Sequence, residues 1–453
     1  AQKAKDTLRI GVYQPISIID PLFDPQPQTD LMNRVVFDTL VNFDVEKKEI
    51  VPGLAESWTQ IDPLTWEFKL RKDVKFHNDD PFDADDVVYS TKYVMDPEAR
   101  FRFKEQRFGH LAGVEKIDQY TVRIKTKVPV AAFLARLTTQ LSILPSRVHS
   151  KLADKAVFGR APIGTGPYRF VEFKRNETIR LERSPNYWKA GLPYLDAIEY
   201  TIVPNRSTAA LSFVAGKFDM TFPYEIPVPI VRDIEKQAPR ARCEILPNNL
   251  SVNLLINRTS PPFDRPEISQ AMGLALDRKT FIDIISEGKS DMGGALLPPP
   301  EGVWGLPPDM LRSIPGYGED IAARRDKARA LMTGLGYGPD KRLAVKLTTR
   351  NVPQHRDPSV ILIDQLKQIY IDAELELVET AIWPARLTKR DYAIALNLTG
   401  SGGDDPDIQF YEDYVCGASR NFSGYCNKTI DALVDRQSVE NDFEKRRAIV
   451  WDI

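Results

Sequence analysis

The first apolar–polar pattern in the chain, "TLRIGVYQ", reads as a strand. In "TDLMNRVVFDTLVNFD" the apolar residues Leu31, Val35, Val36 and Leu40 fall at helical spacing, with Asp30 placed as the N-cap. In "AESWTQIDPLTWEFKLRKDVKFH", Trp66, Phe68 and Leu70 alternate with Glu67, Lys69 and Arg71, which predicts a half-buried strand. Asp62-Pro63 marks the turn before it. "DQYTVRIKTKV" alternates cleanly, and "IGTGPYRFVEFKRNETIRLERSPNYW" gives two strands around a polar turn at Arg175-Asn176. "YLDAIEYTIVPNRSTAALSFVAGKFDM" then reads strand, helix, glycine stop, short strand.

A second alternation of helices and strands begins near residue 250. It runs through "SVNLLINRT", "PEISQAMGLALDRKTFIDIISEG", "RRDKARALMTGLGYG", "LAVKLTTR", "SVILIDQLKQIYIDAELELVET" and "DYAIALNLTGSGG". Alternation on this scale predicts α/β architecture. The proline-rich "LLPPPEGVWGLPPD" is expected to be a surface loop. "GLGYG" has the order helix–glycine–strand, so it is a helix C-cap and not a dinucleotide fingerprint. "TGSGGDDPD" has the order strand–glycine–helix, but Asp404, Asp405 and Asp407 would repel phosphate; they suit a helix cap or a cationic ligand group.

"KFHNDDPFDADDVVYS", residues 75–90, gathers five aspartates beside His77 and raises the question of a metal site. A local explanation competes. Asp83 stands at the N-cap of a helix, Asp86 three residues on mimics the glutamate of a capping box, and Asp85 and Asp86 fall in the first turn, where the helix dipole favours negative charge. The aspartates are expected to be structural, with no metal bound.

Composition narrows the class. A chain of 453 residues is too long for one core. With 42% hydrophobic and 27% charged residues it reads as a globular protein, and its 61 basic and 63 acidic residues nearly cancel. No basic block suggests nucleic acid, and no apolar run approaches the roughly 18 residues of a membrane helix. The polar start "AQKAKDTLRIGVY" is expected of a mature exported chain whose signal peptide has gone. Of three cysteines, Cys416 and Cys426 are separated by nine polar or small residues. A disulfide loop would imply an oxidising compartment, while a metal pair would need two further soft ligands nearby. Cys243 reads as a buried structural thiol. There is no nucleophile elbow, P-loop, H-E-x-x-H or C-x-x-C, and His77, His110, His149 and His355 share no motif. Nothing supports an enzyme or a cofactor.

Three stretches carry a family resemblance: "VPGLAESWTQIDPLTWEFKLRKDVKFHNDDPFDADDVVYS", "IGTGPYRFVEFKRNETIRLERSPNYWKAGLPYLDAIEYTIVPNRSTAALSFVAGKFDM" and "NLLINRTSPPFDRPEISQAMGLALDRKTFIDIISEG". In order and nearly end to end, the chain resembles the extracellular solute-binding proteins of family 5, the dipeptide-, oligopeptide- and nickel-binding receptors of ABC importers. The resemblance implies the α/β, bilobed periplasmic-binding-protein fold, type II, of the large cluster with an extra subdomain. Lobe I would be residues 1–250, with an inserted subdomain near 50–165, and lobe II residues 251–453, whose C-terminal return to lobe I is expected to be missing. "FHNDDPFDADDVV" matches the family's strand–helix junction, which agrees with the capping reading.

The resemblance also implies a site. Arg350, after a strand and before a long helix, takes the position of an arginine that pairs with a peptide carboxylate. The aspartate that receives the ligand amine in such members is replaced here by Gly402; Asp404 or Asp405 could substitute if the loop is realigned. Trp383 and Trp304 look like cleft-lining aromatics, and Cys416–Cys426 matches a disulfide loop of dipeptide receptors. The expected protein is a monomeric periplasmic receptor that captures a small peptide or peptide-like solute in an interlobe cleft and delivers it to an ABC transporter permease. An opine, an oligosaccharide or another organic acid is the alternative ligand, and a hydrolase on a two-lobed scaffold the alternative class.

Overall fold

The strand Thr7–Val12 has partners on both sides, and its alternate residues Ile10 and Val12 are buried because they share one face, which packs on the core. In this computed structural model it pairs in parallel with Ala197–Ile202 and with Met220–Thr221. Thr178–Arg183 and Tyr168–Lys174 complete a five-stranded sheet. The structure describes residues 6–453 apart from 14, 15, 17, 24–26, 48, 102–103, 204, 223–225, 247–249, 300–301, 319, 381 and 401–403. The chain divides into two units, Ala1–Cys243 and Glu244–Ile453. The turn between Tyr168–Lys174 and Thr178–Arg183 carries Asn176 at φ 60°, a left-handed conformation that asparagine tolerates.

The first unit holds a second, antiparallel sheet of Ala55–Asp62, Thr65–Leu70, Thr121–Thr126 and Leu111–Asp118. Phe68, Leu70, Val122 and Ile124 turn inward and share one core with Ile10 and Val12. The helix Pro27–Val36 begins three residues before Asp30, which therefore lies in the first turn and not at the cap. Proline is at home at a helix start, where its missing N–H needs no partner. Gly164 and Gly166 lie against the end of this helix. A Cβ on Gly164 would stand 1.9 Å from the Val36 carbonyl oxygen, so no side chain fits there. His77 pins the same loop: the Gly164 N–H donates to Nδ1 at 3.2 Å, which leaves the proton on Nε2 to donate to the Gly166 carbonyl at 2.9 Å.

The aspartate-rich segment resolves as helix capping. Asp83 caps the helix Ala84–Met95, accepting from the Asp85 N–H at 3.0 Å, and the reciprocal bond from the Asp83 N–H to Asp86 closes the capping box. Asp86 also accepts from the Ser146 N–H at 2.9 Å and hydroxyl at 2.6 Å, while Arg147 donates to Asp83 at 3.0 Å. Among the described residues no group of three or more His, Cys, Asp or Glu is placed to hold a metal ion.

In the second unit the sheet order is Leu250–Ile256, Ile394–Gly400, Leu343–Arg350, Ile371–Val378. The first strand is antiparallel to its neighbour; the others run parallel. The helix Pro353–Lys367 makes the crossover that a parallel pair requires. It contributes Leu362 and Leu366 to a core with Ile268, Met272, Met332, Leu347 and Ile394. The helix Ile321–Gly334 stops where Gly336 takes φ 85°. The proline-rich segment is not a plain surface loop: Leu296 and Trp304 are buried in a smaller cluster with Phe410, Val434 and Val450.

Two predictions follow from this framework. Asp83→Ala should cost about 1 kcal/mol, a typical N-cap loss. Asp86→Ala, which takes the acceptor from the buried Asp83 N–H and from the part-buried Ser146 N–H and hydroxyl, should cost more, about 2–3 kcal/mol. Urea unfolding of both variants measures the difference; equal small losses would mean that the box does not organise the segment. The second concerns acid. Burial lowers His77, His149 and His355 to about 4 and His110 to about 3, from 6.5. The unfolded chain therefore takes up protons that the folded chain refuses. Stability is complete above pH 6.5 and falls as the pH drops from there toward 4, by about 1.4 kcal/mol per pH unit for each histidine. Unfolding midpoints at several pH values should show His77→Gln with a shallower slope than the parent chain; an identical slope would refute the assignment.

Candidate functional site

Open α/β sheets bind their ligands outside the carboxyl ends of the parallel strands. In the second unit that edge is formed by Leu343–Arg350 and Ile394–Gly400, with Thr349 level with Leu396. Arg350 is the last residue of its strand, and its Nε donates to the Thr380 hydroxyl at 3.0 Å. The helix Pro353–Lys367 starts three residues later, so the positive end of its dipole lies at the same edge. His355, in its first turn, is held neutral by burial, and the charge of Arg350 adds to this. The guanidinium and the helix end together favour an anion.

The structure separates the other expected residues. Asp404 accepts from the Val303 N–H at 3.0 Å with Oδ2, while its buried Oδ1 has no hydrogen-bond partner. Burial raises its carboxyl to about 6, opposed by that hydrogen bond and aided by Asp405. Asp405 is engaged within the fold: it caps the helix Pro406–Gln409 and takes both Nη groups of Arg446, at 2.9 and 2.7 Å. These bonds engage both of its carboxylate oxygens. Gly402 lies outside the described residues.

The two tryptophans are core residues of this unit. Trp383 is 4% exposed and donates from Nε1 to Asn397 at 3.2 Å, with His355 edge-on to its ring. Trp304 is 7% exposed, packed on Phe443 and covered by the Arg446 guanidinium at 4.6 Å. Each ring fills a local cluster of the second unit. No short-range pattern pointed to Arg446, Arg420 or Asp413; an arginine far along the chain looks like any solvated charge until folding supplies its partner.

Cys416 and Cys426 form a disulfide with Cα atoms 4.6 Å apart, and Cys243 is free and half-buried. Among the described residues no helix is long and apolar enough to cross a membrane.

This is the fold of a periplasmic binding protein. The chain is similar in structure to the ABC transporter-associated periplasmic binding protein DppA from Helicobacter pylori in complex with the peptide STSA, at a TM-score of 0.81 and 26% identity, covering 98% of this chain and 89% of that one. The chain belongs to the bacterial extracellular solute-binding proteins, family 5, whose profile matches residues 49–421. A curated relative, the di/tripeptide-binding protein 1 of Pseudomonas aeruginosa strain UCBPP-PA14, is 28% identical, covering 94% of this chain and 82% of its own. The heme-binding protein A of Haemophilus influenzae is also 28% identical, with coverages of 89% and 76%.

Thiol counting on oxidised, denatured protein should find one reactive group, Cys243. Reduction should lower stability by about 2.5–3 kcal/mol, the loop-closure contribution of a short ring. Three thiols before reduction would contradict the pairing.

Proposed function

We propose that this protein is a monomeric periplasmic receptor that captures a small peptide or peptide-like solute and delivers it to an ABC importer. The observation that carries the reading is Arg350, which ends a parallel strand at the edge where such sheets bind ligands, beside a helix N-terminus. That pairing suits the carboxylate of a zwitterion. The named relative that binds di- and tripeptides and the solved DppA with its bound peptide support the choice of solute. Native mass spectrometry of solute carried through purification would identify the class directly.

Arg350 is expected to make an ion pair with the carboxylate of the solute. Removing one partner of a buried charge pair costs about 2–5 kcal/mol. Arg350→Ala should therefore weaken binding of a recovered peptide by about thirtyfold or more. Arg350→Lys should restore only part of this, since an ammonium lacks the bidentate fork. Calorimetry measures both. Binding by Arg350→Ala within about threefold of the parent protein would remove the main support for a carboxylate-bearing solute.

A further inference from the structure

In the second unit, the loop after the helix Pro308–Ser313 is pinned to the end of the helix Pro266–Ala275. Gly316 in that loop takes φ 96°, and a Cβ there would stand 2.7 Å from the Gly273 carbonyl oxygen, so the two backbones meet with no side chain between them. Three arginines gather at this contact. Nη1 of Arg324 donates to the carbonyls of Leu274, Leu276 and Gly316 at 3.2, 2.9 and 2.5 Å. Nη1 of Arg278 donates to the same Gly316 oxygen at 2.7 Å, and its guanidinium lies 3.8 Å from the centre of the Tyr317 ring. Nε of Arg325 donates to the Ala275 carbonyl at 3.4 Å. Because one oxygen serves both, the Nη1 atoms of Arg278 and Arg324 stand no more than about 5 Å apart.

The charges here outnumber the groups that answer them. The carbonyls that close a helix carry about half an elementary charge, enough to place one cation. Three cations are present, and among the described residues none of them is within ion-pair distance of a carboxylate. Asp277 and Asp320 act on Arg324 from farther off, and both are engaged. Asp277 takes the N–H and hydroxyl of Thr280, and Asp320 takes the N–H of Ala323. Burial lowers the pKa of Arg324, and the charges of Arg278 and Arg325 add to this. Donors are also left over. Nε of Arg324 is buried without a hydrogen-bond partner. Nη2 of Arg278, Nη2 of Arg324 and both Nη groups of Arg325 bond to nothing in the fold, yet none is a buried atom, so they open to solvent at this corner. What the cluster lacks is an acceptor with negative charge spread over several oxygens.

We propose that Arg278, Arg324 and Arg325 bind a phosphate group. A carboxylate offers two oxygens and one charge, which a single guanidinium fork satisfies. Three forks at one corner suit an anion with more oxygens and a charge of up to about two. Bonds from charged N–H donors are about 2.8 Å long, so nitrogens about 5 Å apart both reach the oxygens of one phosphate. The chemistry is the same whether the phosphate is free or heads a lipid. The site lies wholly within the second unit and does not depend on the reading of Arg350.

The test uses the full chain and two probes: inorganic phosphate, titrated by calorimetry in chloride at fixed ionic strength, and phosphatidylglycerol vesicles, read by sedimentation. Arg278→Gln and Arg325→Gln should each weaken binding by about tenfold or more, the worth of one charged hydrogen bond. Arg436→Gln, which removes an exposed arginine of the same unit, should stay within about threefold of the parent protein. An equal loss in Arg436→Gln would mean diffuse attraction to basic surface and would overturn the site. Phosphate binding without vesicle binding assigns the free ion. Vesicle binding that is lost in Arg278→Gln and Arg325→Gln assigns a lipid headgroup. Vesicle binding that survives both substitutions, with no phosphate bound, overturns the proposal, as does a parent chain that binds neither probe. A second measurement needs no variant, which guards against loss of the fold. Phenylglyoxal labels open guanidiniums, and peptide masses of the parent chain should show phosphate or the vesicles slowing the labelling of Arg278 and Arg325 by about tenfold, with Arg436 unaffected. Labelling at the same rate with and without both probes would refute the site.

Discussion

Arg446 reaches four parts of the second unit at once. Its two Nη groups grip Asp405, its Nε donates to Gln437 at 3.0 Å, its face covers Trp304, and it belongs to the helix Phe443–Asp452. Asp407, close by, takes the hydroxyl of Ser438 at 2.8 Å and a short bond from the amide of Gln437. A guanidinium removed from water costs several kcal/mol unless every donor is met, and breaking such a pair by deleting one partner costs about 3–5 kcal/mol. The segment after Ile394–Gly400, the proline-rich segment and the last two helices are therefore held to one another by a single charge.

Around this edge the charges are sorted. Arg350 and the start of Pro353–Lys367 make one place positive, while Glu412 and Asp413 gather around Arg420 and Asp404 caps the Val303 N–H. None of these groups is solvated as freely as its spacing in sequence suggests. Burial holds His355 neutral and lifts Asp404 and Asp413 toward neutrality, so the protonation of the edge is set by its surroundings.

Legibility followed distance along the chain. The capping box could be read because Asp83 and Asp86 lie three residues apart and need only a helix between them. The glycine that ends Ile321–Gly334 and the asparagine turn at 176 were equally local, each set by one residue's backbone freedom. The register that brings Gly400 beyond Arg350 depends on strands that no short-range pattern pairs. Arg446 and Asp405 stand 41 residues apart, and Trp304 is farther still, so the cluster that joins them could not be foreseen. Aromatic residues in a core and in a binding site have the same signature in one sequence. Residue type suggested where charge would be needed; only folding shows which charges are already answered.

The bond between Cys416 and Cys426 closes a ring that contains Arg420 and the buried Asn421, whose amide donates to the carbonyls of Val415 and Tyr425 at 3.1 and 2.7 Å. Ordering an open chain costs about 1–2 kcal/mol of backbone entropy per residue. Within the closed ring much of that ordering is already in place in the folded chain, so the guanidinium of Arg420 is presented by a segment already rigid. The reduced chain could keep every hydrogen bond of the ring and still hold them less firmly, because it would have more open conformations to fall into.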